Sequence, residues 1–216
     1  DAVDDGLTPA NRATTDASLA LQADMIDFLS DTFVPYPFNS AGAIVDDDTI
    51  GYALETQTRP IYSRVAREST VVHELAHQWF GNAVSPERWQ DIWLNEGWAT
   101  YAEWLWSEHT GGDPAQASFD AVMATPADDE LWHLAVADPG PLGLFHGAIY
   151  DRGAATLHAL RLEIGDRDFY ATARRWLQRH DDGTGTTEDF QSIAERTSHE
   201  NLDAFFTAWL HTPTKP

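Results

Sequence analysis

The spacing of apolar positions changes character partway along this 216-residue chain. Residues 1–14 are polar, with Gly6 and Pro9, and read as a surface strap or linker. From Asp16 to Phe33, Leu19, Ala20, Ala23, Ile26 and Leu29 recur at helical spacing, and Pro35 and Pro37 end the pattern. Between Ala41 and Tyr62 the pattern shortens. Ala43-Ile44-Val45, the Asp46-Asp47-Asp48 turn and Ile50 to Leu54 predict a hairpin or two neighbouring strands. After Pro60 the chain turns helical and stays so. Helices are predicted over Arg67–Phe80, Asp91–Glu108, His146–Ile164, Arg167–Arg179, Thr187–Arg196 and Leu202–Leu210. Another follows Asp113, read as its cap with Pro114 in the first turn, and Thr187 is read as the cap before Phe190. The expectation is one α+β domain, mainly helical, with a β-containing lobe over residues 15–90 and a helical lobe over 91–216.

Charge narrows the function. With 35 acidic residues against 13 basic, the net charge is −22. Such a surface repels phosphate backbones, so nucleic acid is excluded as an expected partner. It attracts cations, protonated peptide amino termini among them, although salt adaptation or codon usage accounts for the acidity more simply. No run of 18 apolar residues exists, so no membrane insertion is expected. Cysteine is absent, and a metal would have to be held by histidine and carboxylate.

Such a set is present. In His73-Glu74-Leu75-Ala76-His77 the two histidines are four residues apart inside a predicted helix. Residues at that spacing sit roughly 40° apart on one helical face, one turn up, so both imidazoles can converge on one ion. Glu74 beside them has the position of a general base. Glu96 lies in the next predicted helix, and a loop through Gly81 and Pro86 lets that helix pack back against the first. Two histidines and one glutamate are a known ligand set for one catalytic Zn2+ per chain, with a fourth position left to water. A surface helix with solvated His and Glu would match the first motif alone equally well; the paired motifs and their flanks favour the metal. Asp91, Asn95 and Thr100 are candidates to receive the imidazole N–H groups. The tryptophans around the motifs read as core, with Trp98 a candidate for the cleft border.

The stretch His73-Glu-Leu-Ala-His-Gln-Trp-Phe-Gly-Asn82, followed by Asp91-Ile-Trp-Leu-Asn-Glu-Gly-Trp-Ala-Thr-Tyr101, closely resembles the core of the aminopeptidase N family of zinc metallopeptidases, which are gluzincins. Ile149-Tyr150-Asp151-Arg152-Gly153-Ala154 is similar to the family's Tyr-x-Lys-Gly-Ala segment, with Arg152 where Lys is usual. Val34 to Phe38 and Ala208 to Pro216 also resemble family segments. Gly51-Tyr52-Ala53-Leu54-Glu55-Thr56 stands where the family has Gly-x-Met-Glu-Asn, with Leu54 for Met and Thr56 for Asn.

The resemblance implies a thermolysin-like zincin fold with a small N-terminal mixed sheet, and zinc on His73, His77 and Glu96. It implies Glu74 as general base, Tyr150 as a hydrogen-bond donor to the oxyanion, and Glu55 as the anchor for the substrate α-ammonium. The implied substrates are peptides with a free N-terminus. The family's preceding β domain is absent from this sequence, and by analogy an extracellular or secreted location is expected. An endopeptidase or a non-catalytic zinc-binding scaffold are the alternatives. Oligomeric state and side-chain preference have no sequence signature here. Ordinary imidazole pKa values put the acid loss of zinc at roughly pH 6 and below.

Overall fold

The computed structural model describes residues 1–216. The first strand, β1 (Ala2–Val3), leads into helices α1 (Pro9–Leu19) and α2 (Gln22–Thr32). Strands β2 (Ile44–Asp46), β3 (Ala53–Leu54) and β4 (Ile61–Ser63) precede α3 (Glu68–Ala76) and β5 (Val84–Pro86). Then come α4 (Trp93–His109), α5 (Ala115–Met123), the short α6 (Gly140–Gly143) and the long α7 (Gly147–His180). Strand β6 (Gly183–Gly185), α8 (Thr187–Ser198) and α9 (Asp203–Phe206) complete the chain, with a wide turn over Thr207–His211. The fold is a mainly helical α+β arrangement with a small mixed sheet, as the pattern predicts.

Several boundaries differ from the sequence reading, each for a local reason. Residues 1–14 are no strap. Ala2 and Val3 pair in parallel with Ile44 and Val45, and Thr8 caps α1 by accepting the Asn11 N–H while Pro9 takes the first turn. The predicted Asp16–Phe33 helix is two helices broken at Ala20–Leu21. The sheet order is β1-β2-β4-β3, so β2 and β3 are neither a hairpin nor neighbours. Instead β4 lies between them, parallel to β2 and antiparallel to β3. The Asp46–Asp48 turn is aimed at β4, because the Asp48 carboxylate accepts the Ser63 hydroxyl at 2.7 Å.

Capping positions shift by one residue. Pro114, not Asp113, precedes α5, and the Glu108 carboxylate accepts the Ala115 N–H. Thr186, not Thr187, caps α8 in a reciprocal box with Asp189. Thr187 serves elsewhere. Its N–H and hydroxyl both donate to the buried Asp91 carboxylate, at 3.0 and 2.7 Å, and its oxygen accepts the Trp93 indole N–H. The two helices predicted on either side of Gly165 are halves of α7, bent where Gly165 adopts φ +76.

The site depends on how three helices meet. One apolar core of 44 buried residues runs from Leu7 to Leu210 through both predicted lobes. The β5–β6 pair joins the lobes a second time. Helix α4 is at its centre, buried on every side from Trp93 to Ala102, packed against α3 on one face and α7 on another. Helices α4 and α7 cross at Gly97 and Gly153, where the two backbones touch. Glycine costs about 1 kcal/mol relative to alanine inside a helix, so each is tolerated for the close approach it permits.

Candidate metal and catalytic site

The end of α3 carries the paired histidines, and the first turn of α4 brings Glu96 against them. The Glu96 Oε2 atom lies 3.4 Å from His73 Nε2 and 3.3 Å from His77 Nε2. One ligand atom from each of the three residues falls within 4.8 Å of the others. Both imidazoles are oriented through their other nitrogen. His73 Nδ1 meets Glu103 Oε1 at 2.8 Å, and His77 Nδ1 meets the Phe80 carbonyl oxygen at 3.0 Å. That leaves both Nε2 atoms facing Glu96.

The chain beyond α3 doubles back sharply to make this possible. Helix α3 ends at Ala76, short of the predicted Phe80, and Gly81 takes φ +144. A Cβ there would stand 3.2 Å from the His77 carbonyl oxygen and 3.4 Å from its Nδ1, so a side chain at 81 would crowd the imidazole.

The expected supporting residues are not the ones used. Asp91 is committed to Thr187 and to Arg88. Asn95 lies against Gly81, and the buried Thr100 hydroxyl has no hydrogen-bond partner. Glu103, seven residues and two helical turns beyond Glu96 on the same face of α4, takes the role instead. That spacing was a usable signal. A backbone carbonyl such as that of Phe80 leaves none. Trp98 does not border the cleft; it is wholly buried and stacks on Phe80 with centroids 4.5 Å apart.

Glu74 and Glu55 lie close to His77, the three offering ligand atoms within 4.8 Å of one another. Glu55 directly follows the edge strand β3, and the turn after α3 pins it there. Asn82 Nδ2 donates to the Glu55 carbonyl at 2.7 Å, and the Gln78 amide oxygen accepts the Thr58 N–H at 2.8 Å. Gln78 and Asn82 thus couple the histidine helix to the strand, a role the motif alone does not reveal. Tyr150, in the first turn of α7, stacks near His73 with centroids 6.2 Å apart and planes 25° from parallel. His73, Glu74, His77, Glu96, Glu55 and Tyr150 all line one cavity of about 720 Å³.

The electrostatics are those of a crowded, dry site. Burial raises the Glu74 carboxyl to about 7, despite the opposing pull of both histidines. Burial opposes the charge of Glu96 too, but His77 and His73 bring it down to about 2. Burial likewise disfavours charge on His73, yet hydrogen bonds to Glu103 and Glu96 carry it up to about 10; His77 is raised chiefly by Glu96. Burial holds the Tyr150 phenol well above its ordinary value, with Glu96, Glu55 and Glu74 adding to the effect. It stays protonated at any physiological pH.

The donor set fits a zinc ion. Two donors each about 2.1 Å from a tetrahedral zinc stand about 3.4 Å apart. The observed 3.4 and 3.3 Å match that spacing, whereas a charge-assisted hydrogen bond draws its partners to about 2.7–2.9 Å.

Comparison with known proteins identifies the family. The Peptidase family M1 domain model matches residues 39–209. An aminopeptidase N of Streptomyces lividans is 35% identical over 157 residues, covering 68% of this chain and 18% of that protein. An aminopeptidase N of Lactococcus lactis subsp. cremoris is 27% identical over 95% of this chain and 27% of its own length. The crystal structure of an M1 zinc metallopeptidase from Deinococcus radiodurans superposes with a TM-score of 0.88 at 30% identity, covering 99% of this chain and 48% of that one. A mutant of the Deinococcus enzyme has been solved bound to a Tyr-Ser-Ala substrate. The chain therefore spans about half of that solved relative, and 18% and 27% of the two aminopeptidases. With the family model matched over most of its length, the chain belongs to the M1 peptidase family.

Proposed function

We propose that this chain is the catalytic unit of a zinc-dependent aminopeptidase, with one zinc ion held by His73, His77 and Glu96. The observation that carries the proposal is the convergence of the two Nε2 atoms on one Glu96 oxygen at 3.3–3.4 Å, the separation that two donors on one tetrahedral zinc would have. When bound, zinc supplies a Lewis acid and lowers the pKa of water at its open position.

The remaining work falls to the chain's own residues. Glu74 takes the proton of the attacking water and returns it to the departing amine nitrogen, and burial, which favours its protonated form, helps it to accept that proton. Tyr150 donates its hydroxyl to the carbonyl oxygen as negative charge gathers there. Glu103 and the Phe80 carbonyl hold the imidazole rings in register. Glu55 receives the substrate α-ammonium, and the exposed edge of β3 offers backbone partners to an extended peptide.

Cleavage of a free aminoacyl-arylamide, its loss with a chelator and its return with zinc test this function. The N-acetylated substrate, which has no ammonium for Glu55, is expected to be cleaved at least a hundredfold more slowly, because the partly buried carboxylate then goes unpaired. Equal rates on blocked and free substrates would make the chain an endopeptidase. No helix is long and apolar enough to cross a membrane.

A further inference from the structure

Gly97 directly follows Glu96 on α4, and Gly153 lies one turn beyond Tyr150 on α7. The two face each other where the helices cross. A methyl group on Gly97 would stand 3.0 Å from the Gly153 carbonyl carbon and 3.1 Å from its Cα. One on Gly153 would stand 3.1 Å from the Gly97 Cα and 3.8 Å from the Trp93 carbonyl oxygen. Carbon atoms in contact prefer about 3.5–4.0 Å, so either methyl requires the helices to part by a few tenths of an ångström. The atoms in the way are backbone, and no rotamer change relieves them.

The start of α7 is also held from another direction. Arg152 is wholly buried and has no carboxylate partner. It donates instead to five carbonyl oxygens: Trp209 at 2.8 Å, Thr212 at 2.7 Å, Ala208 at 3.0 Å, and Trp132 and Leu134 at 3.2 Å each. The second turn of α7 is therefore clamped between the α4 backbone and two chain segments, one around Trp132–Leu134 and one around Ala208–Thr212. Tyr150 sits in the turn just before it.

We propose that Gly97 and Gly153 are positioning residues whose contact sets the distance from the Tyr150 phenol to Glu96 and its two imidazoles, and hence the reach of that phenol to the scissile carbonyl oxygen. With Tyr150 taken as the oxyanion donor of the proposed aminopeptidase, the Asn95-Glu96-Gly97 and Tyr150-to-Gly153 segments act as one mechanical unit. The first supplies the ligand, the second the donor, and the two glycines fix the gap between them.

The test is a double-mutant cycle of Gly153→Ala and Tyr150→Phe, with zinc content, kcat and KM measured for each protein and a crystal structure of Gly153→Ala. Tyr150→Phe is expected to lower kcat by roughly a hundredfold or more. Gly153→Ala is expected to lower kcat roughly tenfold, keep full zinc content and KM, and widen the 6.2 Å ring separation between His73 and Tyr150. In the Tyr150→Phe background the same alanine is expected to cost nothing further in kcat. An equal loss in both backgrounds, or an unchanged kcat with an unchanged ring separation, overturns the positioning role alone. A Tyr150→Phe enzyme with the parental kcat overturns the donor assignment and this inference with it. Should Gly153→Ala not fold, Gly97→Ala and Arg152→Lys carry the same cycle, since lysine has three donors for five carbonyls.

Discussion

Glu74→Gln is expected to bind as much zinc as the parent chain and to lose roughly 10²–10⁴ in kcat. The substitution keeps size and shape in a position that is 5% exposed, and it removes only the capacity to take a proton. Glu74 is not one of the three residues proposed to hold the ion; its ligand atom groups with those of Glu55 and His77, so zinc binding is expected to survive the change. Metal analysis and arylamide turnover on the same preparation check both halves. Loss of zinc would make Glu74 a ligand, and unchanged turnover would remove it as the base. Stability has a sign of its own. Burial holds the folded-state pKa of Glu74 at about 7, above its unfolded value, so without metal the folded chain keeps a proton that the unfolded chain gives up between about pH 4.5 and 7. Stability falls as pH rises through that window, and Glu74→Gln is expected to abolish this part of the dependence.

Zinc affinity is expected to weaken at least tenfold per pH unit from pH 8 down to pH 6, well above the range that free imidazole would suggest. Both histidines must be neutral to bind the ion. In the metal-free site His73 is carried up to about 10 by Glu103 and Glu96, and His77 is raised by Glu96, so protons compete for the ligand nitrogens even above neutral pH. The sign follows directly: a raised histidine pKa favours the proton over the metal as pH falls, and from a higher starting pH. Competition against a coloured chelator across this range measures it, and Glu103→Gln should shift the fall to lower pH. An affinity that stays flat from pH 8 to pH 6 would contradict the crowding of Glu96, Glu103 and Glu74 around the pair. The ordinary imidazole value, which placed the loss near pH 6, takes no account of that crowding.

The chemistry was more legible than the scaffold. His73 and His77 declare themselves by a spacing that only a helix makes useful, and Glu96 by a second helix long enough to pack beside the first. Glu103 went unread because one more glutamate in a chain with 35 acidic residues carries no mark of its own; only the seven-residue interval from Glu96 tells it apart. Gln78 and Asn82 look like helix-end residues until the strand they hold is in place. The sheet order was beyond reach because the pairs Ala2 with Ile44 and Ile44 with Ile61 join segments far apart in sequence, where local pattern says nothing of neighbours. Caps slid by one residue for a simpler cause. Thr186 and Thr187 are chemically equal, and the buried Asp91 decides between them by claiming Thr187. The Gly97–Gly153 contact spans 56 positions and is visible only once α4 and α7 cross.

The most direct measurement is anomalous diffraction at the zinc edge from crystals of the zinc-loaded chain. A single strong peak is expected about 2.0–2.2 Å from His73 Nε2, His77 Nε2 and one carboxylate oxygen of Glu96, with no further protein atom within bonding distance. A peak bound elsewhere, or one whose fourth position is filled by Glu74, Glu55 or Tyr150, would contradict a catalytic centre at this site.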